Sequence, residues 1–210
     1  MKEDILEQLV DDYLQSEGYF TRHNIKFKPR KEHPDFVSKQ DSNHSDIDVI
    51  GINPKKNGAD RVFAVSCKSW QSGFKIKSWL DCLASNKIVS GRHAWQAFRE
   101  LMRPKWSEAF IDAVEAASGS RKFTYVLAVT AVIGERKQWE KHPPFLAALQ
   151  GNPIRIVDLS EMLEYIQNVS TTTVASSDIG RVLQLMTAAK KGKTELIKAI
   201  EAQSESGGGR

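Results

Sequence analysis

Apolar residues near the start of the chain recur every three or four positions. This spacing places them on one face of a helix, and it predicts an amphipathic helix over residues 4–17 that ends at Gly18. The residues of its apolar face are Leu6, Leu9, Val10, Tyr13 and Leu14.

Two runs rich in β-branched residues follow, at residues 47–52 and 61–68. The polar segment between them contains Pro54, Asn57 and Gly58, which are residue types that turns favour. The pattern therefore predicts an antiparallel hairpin. Upstream of it, the prolines in residues 22–39 indicate short extended pieces around residues 24–28 and 35–38 that loops connect.

The rest of the chain alternates between helical and strand patterns. Residues 75–119 show apolar faces at helical spacing with breaks near Ser90-Gly91 and Pro104, so two or three helices are expected there. Residues 123–133 are apolar on both parities, which is typical of a strand covered on both faces and predicts a central position in the sheet. A further strand is expected at residues 154–159, with Ser160 as the N-cap of a helix that runs to Val169.

This order of elements predicts an α/β sandwich with a central mixed β-sheet flanked by helices. We expect one main domain over residues 1–170. Residues 171–177 are typical of a linker, and helices at 178–191 and 194–203 would pack on the domain or extend it. The glycine-rich tail, residues 204–210, is expected to be disordered.

Composition supports a folded protein that stays inside the cell. Hydrophobic residues make up 40% and charged residues 27% of the 210 residues, which suits a packed core. No apolar run approaches the roughly 20 residues that span a bilayer, and the acidic amphipathic start is unlike a secretory signal. The two cysteines, Cys67 and Cys82, lack the spacing of a zinc site. We therefore expect a cytoplasmic protein without membrane association.

The hairpin carries the candidate chemistry. A turn centred near Asn57 pairs Asp48 with Ser66 and Asp46 with Lys68, so these four polar residues would share one face, while Ile47, Val49, Val65 and Cys67 cover the other. Buried charges need partners. A Mg²⁺ ion would suit the carboxylates and could activate a water molecule towards a phosphodiester, while Lys68 would offset the charge that develops on the phosphate. The alternative is an ion pair at the end of a hairpin.

The stretches Ser45–Gly51 and Val65–Trp70 resemble motifs of the PD-(D/E)xK restriction-endonuclease-like nuclease superfamily, and Val65-Ser-Cys-Lys-Ser-Trp70 is most similar to its Mrr-type branch. The order of elements over about residues 1–135 fits the same resemblance. It implies a restriction-endonuclease-like fold and an endonuclease that hydrolyses DNA with Mg²⁺ or Mn²⁺. In this resemblance Asp48 is the metal-binding acid, Lys68 is the catalytic lysine, and the backbone carbonyl of Cys67 is a further metal ligand.

Ser66 departs from the superfamily pattern, because it occupies the position of the usual Glu, Asp or Gln. A serine hydroxyl is a weak and neutral Mg²⁺ ligand. Another carboxylate would have to complete the site, and Glu7 on the first helix is the first choice, followed by Asp46. Two other hypotheses stay open: a nucleic-acid-binding module of the same fold with weakened catalysis, and a protein-assembly subunit.

Positive charge concentrates in residues 22–39, which hold six Lys or Arg residues and two acidic residues and match the formal net charge of +4 for the whole chain. This segment is a candidate DNA-contact surface, since Lys and Arg bind phosphates of any sequence, and a solvated basic loop is the alternative. A second basic row is expected on a helix face. DNA is the expected partner, RNA stays open, and a homodimer would suit double-strand cleavage. The candidate contact residues are Lys26, Lys28, Arg30 and Lys31 in the segment, and Arg92, Arg99 and Arg103 in the row.

Overall fold

The structure is a computed structural model that describes residues 5–169 and 177–189, together with residues 192 and 197. The chain divides into two compact units, Met1–Met162 and Leu163–Arg210. In the second unit, residues 178–189 are helical, in agreement with the predicted helix at 178–191. The predicted helix at 194–203 and the tail at 204–210 lie outside the described residues, apart from residue 197, and so does most of the 171–177 linker.

Helices and short strands surround one larger sheet. The helices are α1 (Ile5–Ser16), α2 (Ser38–Asp41), α3 (Ile76–Ala84), α4 (Arg99–Met102), α5 (Pro104–Ser118), α6 (Arg136–Glu140), α7 (Pro143–Ala148) and α8 (Leu159–Val169). The strands are β1 (Phe20–Phe27), β2 (Ser45–Ile52), β3 (Val62–Lys68), β4 (Phe74–Lys75), β5 (Ile88–Val89), β6 (Arg92–His93), β7 (Thr124–Val129), β8 (Val132–Ile133) and β9 (Ile154–Asp158). Two short 3₁₀ helices cover Gly58–Arg61 and Ala94–Ala97.

The central sheet is mixed and has five strands in the order β1-β2-β3-β7-β9. Strands β1, β2 and β3 are antiparallel neighbours, whereas β7 runs parallel to both β3 and β9. Every residue of β7 is buried, as expected for a parallel strand covered on both faces. The α/β architecture with a central mixed sheet flanked by helices, and the interior position of β7, are confirmed.

Helices cover the two faces of this sheet. Phe110 of α5 packs against Tyr125 of β7, with ring centroids 5.7 Å apart. The register places Tyr125 beside Ala64 and Ala64 beside Ile50, so these residues share the α5 face. Helix α1 packs on the opposite face, where a side chain added at Gly51 would lie 3.1 Å from Leu14.

The region between residues 75 and 119 is less helical than its pattern predicts. A small hairpin, β5–β6, interrupts it, because Ser90 (φ 49°) and Gly91 (φ 79°) both have the left-handed conformation that a tight two-residue hairpin turn requires. Arg92 therefore lies in a strand. The predicted helix face that carries Arg92, Arg99 and Arg103 together is wrong.

Two local predictions also differ from the structure. The extended piece predicted around residues 35–38 is shorter in the structure: Val37 is extended, and the short helix α2 already begins at Ser38. Helix α8 is capped by Asp158 instead of Ser160: the N–H of Glu161 donates to Asp158 Oδ1 (3.1 Å), and the N–H of Asp158 donates to Glu161 Oε2 (3.0 Å). This reciprocal pair is a capping box, which satisfies two backbone donors at once.

The end of the basic segment is fastened to α5 by a buried ion pair. Asp41 is fully buried and accepts hydrogen bonds from Lys105 Nζ (2.6 Å), Trp106 Nε1 (3.1 Å) and the N–H of Val37 (2.7 Å). Lys105 also donates to the carbonyl of Asp35 (2.8 Å). These contacts fix residues 35–41 against α5.

Candidate active site

The hairpin of β2 and β3 has the predicted register, and its two strands part at Asp48. The ladder pairs Ile52 with Val62 and continues to Val49 and Val65. At the next position, the Oδ2 atom of Asp48 accepts a hydrogen bond of 2.6 Å from the backbone N–H of Cys67. The carboxylate therefore replaces a backbone acceptor in the ladder and lies between the two strands.

The alternation of side chains along β2 changes at the same point. Ile47 packs in the core cluster that contains Ile50, although regular alternation would place residues 47 and 50 on opposite faces. The prediction that Ile47 shares the face of Val49 is therefore wrong. The change in alternation has its counterpart in the neighbouring strand β1. There Asn24, which lies across from Asp48, has a φ of 55°. This left-handed residue disturbs the pleat where Asp48 turns inwards.

Burial is the main influence on the ionisation of Asp48. It raises the pKa of this carboxyl, whereas the charge of Lys68 and the hydrogen bond from Cys67 lower it, and the charges of Glu100 and Asp46 raise it again. The net result is a pKa above the ordinary value. The surroundings of Asp48 thus disfavour its ionised form. A cation bound beside the carboxylate would favour that form again.

Glu100 is the acidic residue that the sequence analysis missed. It lies on the short helix α4, is buried, and accepts a hydrogen bond of 2.6 Å from the Tyr125 hydroxyl. Its charge contributes to the raised pKa of Asp48. The sequence gives only a weak indication of this role: Glu100 is the one acidic residue between Trp95 and Trp106, in an otherwise apolar and basic stretch.

Ser66 and Tyr125 connect these two carboxylates. Burial raises the pKa of Tyr125 well above its ordinary value, and the charge of Glu100 and its hydrogen bond act in the same direction. Ser66, which is buried, forms a hydrogen bond with Tyr125 that opposes this shift. Ser66 therefore belongs to the hydrogen-bonded support of Glu100, and Tyr125 is held as a neutral donor.

Lys68 is half-buried at the end of β3, opposite Val129 of β7. Its positive charge is the largest influence that lowers the pKa of Asp48. Cys67 is also half-buried, and its N–H positions Asp48. Asp48 thus lies beside Cys67 and near Lys68 at the end of the hairpin, while the joint catalytic role of Asp48, Ser66 and Lys68 stays a prediction.

The two substitutes that the sequence suggests for the missing acid have different positions. Asp46 is partly exposed, lies 3.9 Å from Lys26 Nζ, and contributes to the raised pKa of Asp48. Glu7 is half-buried in the first turn of α1, on the sheet face opposite to that of Tyr125 and Glu100. The strongest charges on Asp48 come from Lys68, Glu100 and Asp46. A metal-ligating role of Glu7 stays a prediction.

A divalent metal would have two carboxylates at this site. Within residues 5–169 and 177–189, no group of three His, Cys, Asp or Glu residues is arranged to hold a metal ion. Asp48 and Glu100 each have two carboxylate oxygens, of which one accepts a hydrogen bond within the protein. Mg²⁺ commonly binds one or two carboxylates and completes its shell with water and substrate phosphate. The donor set fits such an ion and does not form a closed protein cage.

The candidate DNA-contact residues lie in two places. In the basic segment, Lys26 at the end of β1 and Lys28, Arg30 and Lys31 after it are all exposed, and Arg30 forms an ion pair with Asp112. Lys26 is next to the site, because β1 pairs it with Asp46. Exposure of the four side chains agrees with either a phosphate-contact surface or a solvated loop.

The other three arginines lie at three different places in the fold. Arg92 lies in β6, Arg99 in α4, and Arg103 between α4 and α5. The guanidinium of Arg99 stacks 4.9 Å from the ring centre of Trp106, and that of Arg103 stacks 4.8 Å from Trp95. Burial lowers the pKa of Arg99, and the charge of Arg92 acts in the same direction. Arg92 and Arg99 thus influence each other electrostatically, although they share no helix.

Comparisons of this chain with protein-family models, with curated proteins and with solved structures give no match. No helix in the described part of the chain is both long and apolar enough to span a membrane. The site geometry is therefore the basis for assigning a function.

Proposed function

We propose that this protein is a divalent-metal-dependent endonuclease that hydrolyses DNA phosphodiester bonds. The observation that carries the proposal is the position of Asp48, a half-buried carboxylate that the N–H of Cys67 holds at the end of the hairpin, and whose raised pKa the charges of Lys68 and Glu100 influence. Two acids and a lysine at the end of a sheet suit the binding of a divalent cation and of a phosphate. The proposal includes the finer fold, a restriction-endonuclease-like sandwich, which the mixed sheet and the strand positions of Asp48 and Lys68 support.

In this proposal, Asp48 and Glu100 hold Mg²⁺ or Mn²⁺, with the carbonyl of Cys67 as a further ligand. A bound ion of this kind lowers the pKa of a coordinated water molecule and offsets charge on the phosphate. The N–H of Cys67 holds Asp48 in place, and Tyr125, supported by Ser66, holds Glu100. Lys68 supplies positive charge where the phosphate becomes more negative. Glu7 is the alternative second acid.

DNA binding would use the exposed basic segment beside this site. Lys26 lies on the strand next to Asp46, and Lys28, Arg30 and Lys31 continue the same surface. The anchor between Asp41 and Lys105 fixes residues 35–41 next to this segment. Such contacts are independent of base sequence, so they position the backbone and do not select a site.

The test is cleavage of supercoiled plasmid DNA in Mg²⁺ or Mn²⁺, with EDTA as the blank. Wild type should produce nicked and linear DNA only with metal. Asp48→Asn and Lys68→Ala should each lose cleavage while remaining folded by circular dichroism. Asp81→Asn is the matched control, since Asp81 is an exposed acid on α3 that pairs with Lys77. Cleavage by Asp48→Asn at the wild-type rate would overturn the proposal.

A second candidate function is nucleic-acid binding with weakened catalysis. It is favoured by one observation: among the described residues, the site offers two acids and no three-membered acidic group. Salt-sensitive binding of DNA by wild type, with no cleavage in either metal, would select this function over the first.

A further inference from the structure

A pocket of about 500 Å³ opens beside the end of β3. Its aromatic wall is formed by Trp70 and Trp79, whose rings stack with centroids 4.6 Å apart at an interplanar angle of 14°. Both side chains are half-buried and pack on the core through Phe98. The pocket therefore has a rigid aromatic side.

The opposite side of the pocket is polar. The small β5–β6 hairpin and the following turn supply Ser90, Arg92, His93 and Gln96. These side chains offer hydrogen-bond donors and acceptors and one permanent positive charge. The described lining residues include no aspartate or glutamate. The lining thus suits a planar ligand that has polar edges and a negative charge nearby.

The pocket adjoins the candidate active site. Trp70 follows Lys68 by two residues, and its carbonyl accepts a hydrogen bond from Thr130 just beyond β7. On the other side, the lining residues Gln96 and Ala97 lie just before helix α4, which carries Glu100. A strand of nucleic acid whose phosphate lies at Lys68 could therefore place a neighbouring base in the pocket.

We propose that this pocket binds one unpaired nucleobase of the substrate, so that the enzyme acts on single-stranded or locally opened nucleic acid. The inference rests on the proposed function and specifies its substrate class. Bases are planar with polar edges, and indole rings bind them by stacking regardless of their identity. Pockets of roughly 300–1,000 Å³ hold groups of this size. Arg92 would contact the adjoining phosphate.

The test measures binding in EDTA, so that it does not depend on cleavage. A fluorescein-labelled thymidine oligonucleotide of about 15 nucleotides, near the upper end of the known site sizes, is titrated with the full chain. The same titration uses an abasic oligonucleotide of equal length and charge. Trp79→Leu should weaken binding of the first about 5- to 150-fold and leave binding of the second unchanged, because one base-stacking contact is lost.

Two controls separate the pocket from general effects. Phe20→Leu removes an exposed aromatic ring at the start of β1 and should change neither titration. The second control uses the wild-type protein alone, which should bind the thymidine oligonucleotide more tightly than the abasic one. Equal binding of the two oligonucleotides by wild type would overturn the proposal, as would an unchanged affinity of folded Trp79→Leu for the thymidine oligonucleotide.

The outcome also distinguishes this inference from the proposed function. Base-dependent binding that Trp79→Leu abolishes, combined with no cleavage by wild type, would support the pocket and reject the nuclease. Metal-dependent cleavage by wild type, combined with equal binding of thymidine and abasic strands, would support the nuclease and reject the pocket.

Discussion

Replacement of Asp41 by asparagine should destabilise the protein strongly, because it leaves Lys105 as a buried charge without a counter-ion. Asp41 is fully buried and Lys105 is 9% exposed, and their charged atoms are 2.6 Å apart. Loss of one partner of such a pair typically costs about 3–5 kcal/mol. A chain of this size loses about 2–4 °C in melting temperature per kcal/mol. We therefore expect a decrease of about 6–20 °C.

The assay is urea unfolding at pH 7, followed by circular dichroism, together with thermal melting. Asp81→Asn is the control, because its exposed pair with Lys77 should contribute at most about 0.5 kcal/mol. The double variant Asp41→Asn with Lys105→Met should recover much of the loss, since both charges are then absent. Equal stability of Asp41→Asn and Asp81→Asn would refute this reasoning, and so would a double variant less stable than Asp41→Asn.

The pH dependence of this effect has a definite sign. Burial raises the pKa of Asp41, but hydrogen bonds from Lys105, Val37 and Trp106 outweigh it, and the pKa is lower than in an unfolded chain. The stabilisation is therefore present above the unfolded pKa, about 3.9, and disappears as the pH falls through the folded pKa. The difference between wild type and Asp41→Asn should narrow in acid below about pH 4.

Two further predictions concern the site and the basic segment. Asp48→Asn should stabilise the metal-free protein by about 0.5–2 kcal/mol at pH 7, because the folded pKa of Asp48 is raised, so its ionisation costs stability that builds up as the pH rises above the unfolded pKa and is complete above the folded pKa. Urea unfolding in EDTA should show this gain shrinking as the pH falls towards about 4, and a loss of stability at pH 7 would contradict it. Replacing Lys26 and Lys28 by glutamine should reduce the log–log salt slope of DNA binding by about 0.9 per lost phosphate contact. Lys77→Gln serves as the control. An unchanged salt slope after replacement of Lys26 and Lys28 would show that these lysines do not contact phosphates.

The hairpin could be predicted from sequence because its information is local. Turn residues near Asn57 set the register, which pairs the strands as far as Val49 and Val65 and leaves Asp48 next to Cys67 at the end of the ladder. In β7 both the odd and the even positions are apolar, and this pattern likewise indicated a strand inside the sheet, since a strand covered on both faces needs apolar residues on both faces.

The placement of Glu100 could not be predicted, because it depends on contacts distant in sequence. Helix α4 has four residues, and its position follows from packing against α5 and α7 and from the hydrogen bond to Tyr125, 25 residues away. Arg92 was misplaced for a different reason. Ser90 adopts a left-handed conformation that serine seldom adopts, so a helical pattern concealed a hairpin turn.

The central claim is that Asp48 and Glu100 form the acidic pair of a metal-dependent nuclease. Its most direct test is a Mg²⁺ titration of plasmid cleavage by wild type, Glu100→Gln and Glu7→Gln. Glutamine at position 100 still accepts the hydrogen bond from Tyr125 but removes the charge, so we expect cleavage to disappear at all Mg²⁺ concentrations, whereas Glu7→Gln retains it. Cleavage by Glu100→Gln at the wild-type rate and with the wild-type Mg²⁺ requirement would contradict the claim.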